Sequence, residues 1–178
     1  MKNNEIAQKL RPLLAITAIS IATAFRGENS SVAGDAKSVA APLPAPGWEL
    51  PDLAGHTRHS TDFQGKVVVL DFWATWCPPC REEIPGFIEL QNKYQEQGLA
   101  VVGVSVDQAG VDTVKTFAKK MGINYPVVLA DAKIPNLYDI NVLPTTFIID
   151  RTGRIVKQHL GMTSESQIES EIRPLLKL

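Results

Sequence analysis

An apolar run, Val67-Val68-Val69-Leu70-Asp71-Phe72-Trp73-Ala74, leads through one threonine into Trp76-Cys77-Pro78-Pro79-Cys80 and then into a helical stretch that Gly98 closes. A run of this kind, apolar except for Asp71, fits a strand covered on both faces. The chain is therefore constrained to a strand–turn–helix unit with both of its cysteines at the turn. A cysteine at a helix N-terminus faces unpaired backbone N–H groups and the positive end of the helix dipole. Both favour the thiolate and lower its pKa. Cys80 follows one turn later on the same helix face, where it is placed to resolve a mixed disulfide. A bridge closing so short a loop adds little stability, so the pair reads as chemistry rather than scaffolding. Pro78 and Pro79 cost little in a first turn that lacks intrahelical N–H partners. They also remove two donors near the thiolate, which makes them candidates for tuning its potential.

Two acids stand close to this turn. Asp71 is the one polar residue of its strand, and burial would raise its pKa and let it take the proton of Cys80. The alternative is a solvated carboxylate at a sheet edge. Glu83 lies three residues beyond Cys80 on the same face. It is a second proton handler, or simply an acid favoured by the helix dipole in an early turn, where the dipole lowers its pKa and a nearby thiolate raises it. His56 and His59 complete a Cys2His2 zinc set on paper, but two prolines inside C-x-x-C fit a zinc knuckle poorly, so no metal is expected. An inert buried cysteine pair is the remaining structural alternative. Leu143-Pro144-Thr145 precedes a strand, and the local expectation is a trans proline opening an edge strand.

The rest of the chain supplies the setting. Residues 1–12 carry three positive charges and one negative, and residues 13–25 are an uncharged, mainly apolar run. That run suits a signal peptide, with Ala22-Thr23-Ala24 as a small-x-small cleavage pattern, and is short for a spanning helix. An uncleaved anchor is the rival, and both fates export the domain. Residues 26–46, small, polar and ended by alternating prolines, read as a flexible linker. The domain is expected over 47–178. Hydrophobic residues at 44%, charged residues at 21% and a net charge of −1 describe an ordinary globule with no signature of nucleic-acid binding. Short extended pieces are expected over 48–64, strands over 99–106, 125–130, 145–150 and 154–159, and helices over 77–97, 111–121 and 134–140. The first of these helices is interrupted by Pro85. The strands at 145–150 and 154–159 form a hairpin across Asp150–Gly153, and a last helix starts at Ser164 with capping-box spacing to Gln167. Alternating β and α elements ended by a hairpin and a helix suggest a mixed central sheet flanked by helices.

With DFWATWCPPC at 71–80, CREEIP at 80–85 and LPTTFIID at 143–150, the chain resembles the thioredoxin superfamily. More narrowly it resembles the exported TlpA/ResA-type thiol–disulfide oxidoreductases of cytochrome c biogenesis, over about residues 46–178. The resemblance implies an α/β thioredoxin-like fold with an N-terminal extension and a helix–strand insertion. It implies Cys77 as nucleophile, Cys80 as resolving thiol, Asp71 as the buried acid and Glu83 as the active-site glutamate. Pro85 becomes the helix-kinking proline. Pro144 becomes a cis proline facing the disulfide, with Leu143 and Trp76 beside the docking substrate. Many exported members carry Asn at the position of Asp71, which leaves open which carboxylate handles the proton. The implied partners are disulfide-bearing exported proteins, among them apocytochrome c, whose haem attachment needs free thiols. A membrane thiol-transfer reductant would restore the dithiol, and the Cys77–Cys80 disulfide is the sole redox group, with no further cofactor. Two other readings stand. One is a general oxidant, isomerase or peroxidase-linked protein of the same compartment, although no Thr or Ser stands three residues before Cys77 as a peroxiredoxin pattern requires. The other is a non-enzymatic metal- or thiol-binding module.

Overall fold

A computed structural model describes residues 36–176. The segment read as a signal peptide or anchor, and residues 26–35 of the linker, lie outside the described residues. Eight strands run in chain order: β1 Ala36–Pro44, β2 Glu49–Pro51, β3 Thr57–His59, β4 Val67–Trp73, β5 Leu99–Ser105, β6 Val127–Leu129, β7 Thr145–Ile149 and β8 Arg154–Leu160. Four helices accompany them: α1 Pro78–Tyr94, α2 Val111–Met121, α3 Ile134–Leu137 and α4 Glu165–Leu176. Six strands form one mixed sheet in the order β1-β8-β7-β4-β5-β6, and β2 and β3 pair separately.

The reason β4 sits centrally is visible in its composition. All seven of its residues are buried, with β5 parallel on one side and β7 antiparallel on the other. Such a strand needs both faces covered. Val67, Val69 and Trp73 face a core built with Ile84, Phe87 and Leu90 of α1, Val114 of α2 and Ile168 and Ile172 of α4. Val68, Leu70 and Phe72 face a second core with Leu50, Phe63, Ile134 and Tyr138. Asp71 has the parity of the first face, the one that carries α1. Gly98, at φ 90°, ends the short 3-10 turn after α1 and returns the chain to β5.

Three local outcomes differ from the sequence expectation. Helix α1 runs through Pro85 without interruption, because neighbouring turns and the core contacts of Ile84 and Phe87 hold it across the missing N–H. Residues 36–44, inside the stretch read as a linker, form a strand antiparallel to β8. β8 offers an otherwise open edge, and an edge strand with a register shift between Ser38 and Leu43 tolerates the prolines that made this stretch look unstructured. The third difference is the Leu143–Pro144 bond, which is cis rather than the trans expected locally, in line with the resemblance. The hairpin is as expected: Asp150 accepts hydrogen bonds from the backbone of Thr152 and Arg154, and Gly153 takes φ 79°.

Gly103 of β5 lies in register with Asp71 and makes room for the indole of Trp73, since a Cβ there would fall 2.7 Å from Trp73 Nε1. The indole is fully buried. Gly103→Ala is expected to destabilise the protein by roughly 1–3 kcal/mol through overpacking. A urea-unfolding midpoint equal to that of the wild type would contradict this account of the β4–β5 contact.

Candidate active site

The helix start determines the site. Cys77 is the N-cap of α1 in extended conformation, with Pro78 and Pro79 as its first two helical residues. Because the prolines carry no N–H, the first backbone donor of the helix is that of Cys80, and it points at Cys77 Sγ at 3.3 Å. The two cysteines form a disulfide with their Cα atoms 5.4 Å apart. Cys80 is only 1% exposed, whereas Trp76, one residue before the pair, is 65% exposed. The loop leading in is fastened by Asp107. Its carboxylate accepts from Thr75 N at 2.9 Å, Thr75 Oγ1 at 2.5 Å and Ser105 Oγ at 2.8 Å. Sequence reasoning missed Asp107. An acid two residues beyond a buried strand's serine is the local signal that marks it.

A groove of about 450 Å³ opens beside the disulfide, lined by Trp76, Cys77, Pro78, Val142 and Leu143 among others. Pro144, next to the groove-lining Leu143, is buried. Trp76 and Val142 leave apolar surface exposed in the groove's lining. A more enclosed cavity of about 260 Å³ lies at the other end of β4, between Trp48, Phe63, Val68 and Arg151, and reaches neither cysteine.

Both acids are buried, Asp71 at 2% exposure and Glu83 at 6%. Asp71 Oδ1 accepts one hydrogen bond, from Thr146 Oγ1 at 3.0 Å. Desolvation pushes the Asp71 carboxyl up to about 7, and the Thr146 hydroxyl offsets part of that rise. Glu83 is pushed up to about 9, first by burial and then by the charge of Asp71. The backbone of Thr163 favours its charged form, yet neither carboxyl oxygen has a hydrogen-bond partner of good geometry. Tyr125 shares this environment. Its hydroxyl has no partner, and burial with the two acids raises its pKa well above the ordinary value. The sequence sets the helix dipole, which lowers the Glu83 pKa, against a nearby thiolate, which raises it; α1 turns the residue inward, and burial, which neither pull includes, raises it first. Two like-charged groups this deeply buried and coupled titrate as a pair and hold a proton near neutrality.

The histidines of the paper zinc set lie elsewhere. His56 pairs with Asp52 at 3.6 Å and His59 with Glu49 at 3.8 Å, both on exposed surface around β2 and β3. Among the described residues no group of three or more His, Cys, Asp or Glu side chains is gathered to hold a metal.

A disulfide at a helix N-terminus, beside an open apolar groove, on a mixed sheet that also buries Asp71 and Glu83 of α1, defines a thioredoxin-fold dithiol exchange centre. The sequence profile of the AhpC/TSA family matches residues 43–158, and the chain belongs to that family. It is similar to the thiol-disulfide oxidoreductase ResA of Geobacillus kaustophilus (strain HTA426), at 34% identity over 164 residues, 92% of this chain and 90% of the relative. Similarity to ResA of Bacillus subtilis (strain 168) is 39% over 125 residues, 70% of this chain and 69% of that one. Among solved structures, a thiol:disulfide interchange protein DsbE of Chlorobium tepidum superimposes with a TM-score of 0.73 at 34% identity. The overlap covers 79% of this chain and all of that one. The protein is a thiol–disulfide oxidoreductase that works through Cys77 and Cys80.

The acid pair has a consequence for stability. In the unfolded chain both carboxyls ionise near their ordinary values of about 4. In the folded protein they keep their protons to higher pH. Between the unfolded and folded pKa values the unfolded state therefore binds fewer protons, and stability falls as pH rises from about 4 through 7 and towards 9. Asp71→Asn and Glu83→Gln are each expected to flatten this decline and to stabilise the oxidised protein at pH 8 by on the order of 2 kcal/mol or more. Urea unfolding of the three proteins from pH 4 to 9 checks it. A wild-type stability that is flat or rises over this range would show that the acids ionise normally.

Proposed function

We propose that the protein is an exported reductant of protein disulfides, with apocytochrome c among its substrates. The observation that carries this reading is the helix-capping Cys77 lining an apolar groove, on the same helix as Glu83, three residues past Cys80, which is buried and coupled to buried Asp71. The Cys77 thiolate, favoured by the helix N-terminus, attacks the substrate disulfide and forms a mixed disulfide. Cys80 then gives its proton to the Asp71–Glu83 pair and attacks Cys77 Sγ, releasing the substrate as a dithiol. Asp71, with the lower pKa of the two, is the acceptor, and Glu83 holds the shared proton and sets the thiol titrations. Trp76, Leu143 and Pro144 form the docking surface, where an extended substrate segment pairs with backbone near residue 143. The protein needs no cofactor beyond its own disulfide. A membrane thiol-transfer protein re-reduces it. Residues 1–25 serve as a signal peptide or as an anchor. The naming of relatives as ResA supports the compartment and the cytochrome role. Among the described residues no helix is long and apolar enough to cross a membrane.

Cys80→Ser in cells is expected to accumulate mixed disulfides of Cys77 with exported C-x-x-C-H proteins, identified by mass spectrometry after non-reducing separation. Trapping only unrelated proteins, or a wild-type pool held mainly as the disulfide, would favour a general oxidant instead. In stopped-flow kinetics Asp71→Asn is expected to slow release of the mixed disulfide by about 100-fold while first attack changes little, and Glu83→Gln to shift the thiol titrations. Normal resolution in Asp71→Asn together with crippled resolution in Glu83→Gln would reverse the two roles.

A further inference from the structure

Asp71 is buried at 2% exposure, yet an acceptor must return its proton to solvent before the next cycle. The sheet register shows where a path lies. Asp71 on β4 is opposite Thr146 on β7, and Thr146 is opposite His159 on β8. Directly opposed residues of antiparallel strands point to the same face, with Cβ atoms about 4.5–5.5 Å apart. The three make a polar row crossing three adjacent strands on the face that otherwise holds the apolar contacts of α1 and α4. All three are buried, His159 to 1% exposure. Buried polar side chains are retained where they are paired or used.

The row is joined at one end and open in the middle. Thr146 Oγ1 donates to Asp71 Oδ1 at 3.0 Å. His159 Nε2 lies 2.7 Å from Glu171 Oε2 of α4, whose side chain keeps 16% exposure to water. A carboxylate on Nε2 fixes the tautomer with the proton on that nitrogen. Nδ1 is then an acceptor, and it is buried without a hydrogen-bond partner among the described residues. Among the described residues, His159 pairs with Glu171 of α4; Lys157 lies two residues away on β8, and Asp71, coupled to Glu83 of α1, lies across Thr146. Ala36, opposite on β1, has no titratable group.

We propose that His159, held by Glu171, is the solvent-side end of a proton path that runs from Asp71 through the Thr146 hydroxyl. The path rests on the reading of Asp71 as proton acceptor. When Asp71 takes the proton of Cys80, the Thr146 oxygen switches from donor to acceptor and its own hydrogen turns toward the neighbouring strand. His159 Nδ1 takes that hydrogen, Nε2 releases its proton to Glu171, and Glu171 releases it to water. Thr146 ends with the hydrogen that came from Asp71, and His159 resets when its ring turns, Nδ1–H gives its proton to solvent through Glu171 and Nε2 takes one back, so that one proton leaves per cycle. His159 touches no reacting sulfur and is a positioning and relay residue.

The test follows the proton separately from the sulfur chemistry. The reduced protein is mixed at pH 7 with an aromatic disulfide whose thiolate products stay unprotonated. The dithiol then loses two electrons, the aromatic S–S bond breaks, two thiolates leave, and the proton of Cys80 appears in solution. Product absorbance reports disulfide formation, and an indicator dye in weak buffer reports the proton. The wild type is expected to release proton and thiolate together. His159→Gln and Glu171→Gln are each expected to make the proton lag at least fivefold behind the thiolate, with thiolate release and the urea midpoint within twofold and within error of wild type. Synchronous release in both variants would overturn the path, and so would equal slowing of both signals, which marks a merely structural role. Glu171→Gln leaves His159 in place and decides the matter if His159→Gln folds poorly. Asp71→Asn separates the failures. If it slows thiolate release while both relay variants stay synchronous, the path alone is wrong. If it resolves normally, the acceptor reading and the path fall together.

Discussion

The exclusion of water from the Asp71 and Glu83 carboxyls is the constraint on which the rest of the site depends. A carboxyl in this environment keeps its proton towards neutrality, where an exposed one is fully ionised. Placing one acid on the central strand and the other on the inward face of α1 needs the whole α1–sheet–α4 layer, including the tight Gly103–Trp73 contact beside Asp71. The hydrophobic core thus does more than stabilise the domain. Its burial of Asp71 and Glu83 raises the pKa of both carboxyls.

The two ends of the cysteine pair face different environments. Cys77 caps the helix, next to the exposed Trp76 and the groove lined by Val142 and Leu143. Both cysteines are buried against the core that α1 shares with the sheet, and of the two only Cys77 lines the groove. The prolines at the first two helical positions leave the Cys80 N–H as the local donor to Cys77 Sγ.

Much of the frame was legible in the sequence because it is local. The apolar run of β4, the cysteine turn, the Asp150–Gly153 hairpin and the start of α4 at Ser164 each carry their signal within a few residues. What was not legible depends on contacts distant along the chain. Glu83 looks like an ordinary early-turn acid until α4 and the backbone of Thr163 close over it. β1 looks like a linker because its prolines suit an edge strand as well as a coil, and only the open edge of β8 decides between them. The row Asp71–Thr146–His159 is invisible without the pairing register, since its first two members are 75 positions apart. The cis state of the Leu143–Pro144 bond was expected from the resemblance and not from the local residues.

The central claim is that the buried, coupled Asp71–Glu83 pair holds a proton near neutral pH. Difference infrared spectroscopy of the oxidised protein tests it most directly, by following the carboxylic-acid carbonyl band from pH 4 to 10 in the wild type, Asp71→Asn and Glu83→Gln. The expected result is a buried-acid band that persists at pH 6, disappears through about pH 7 to 9 and loses one component in each variant. Complete ionisation of both groups by pH 5 would contradict the account.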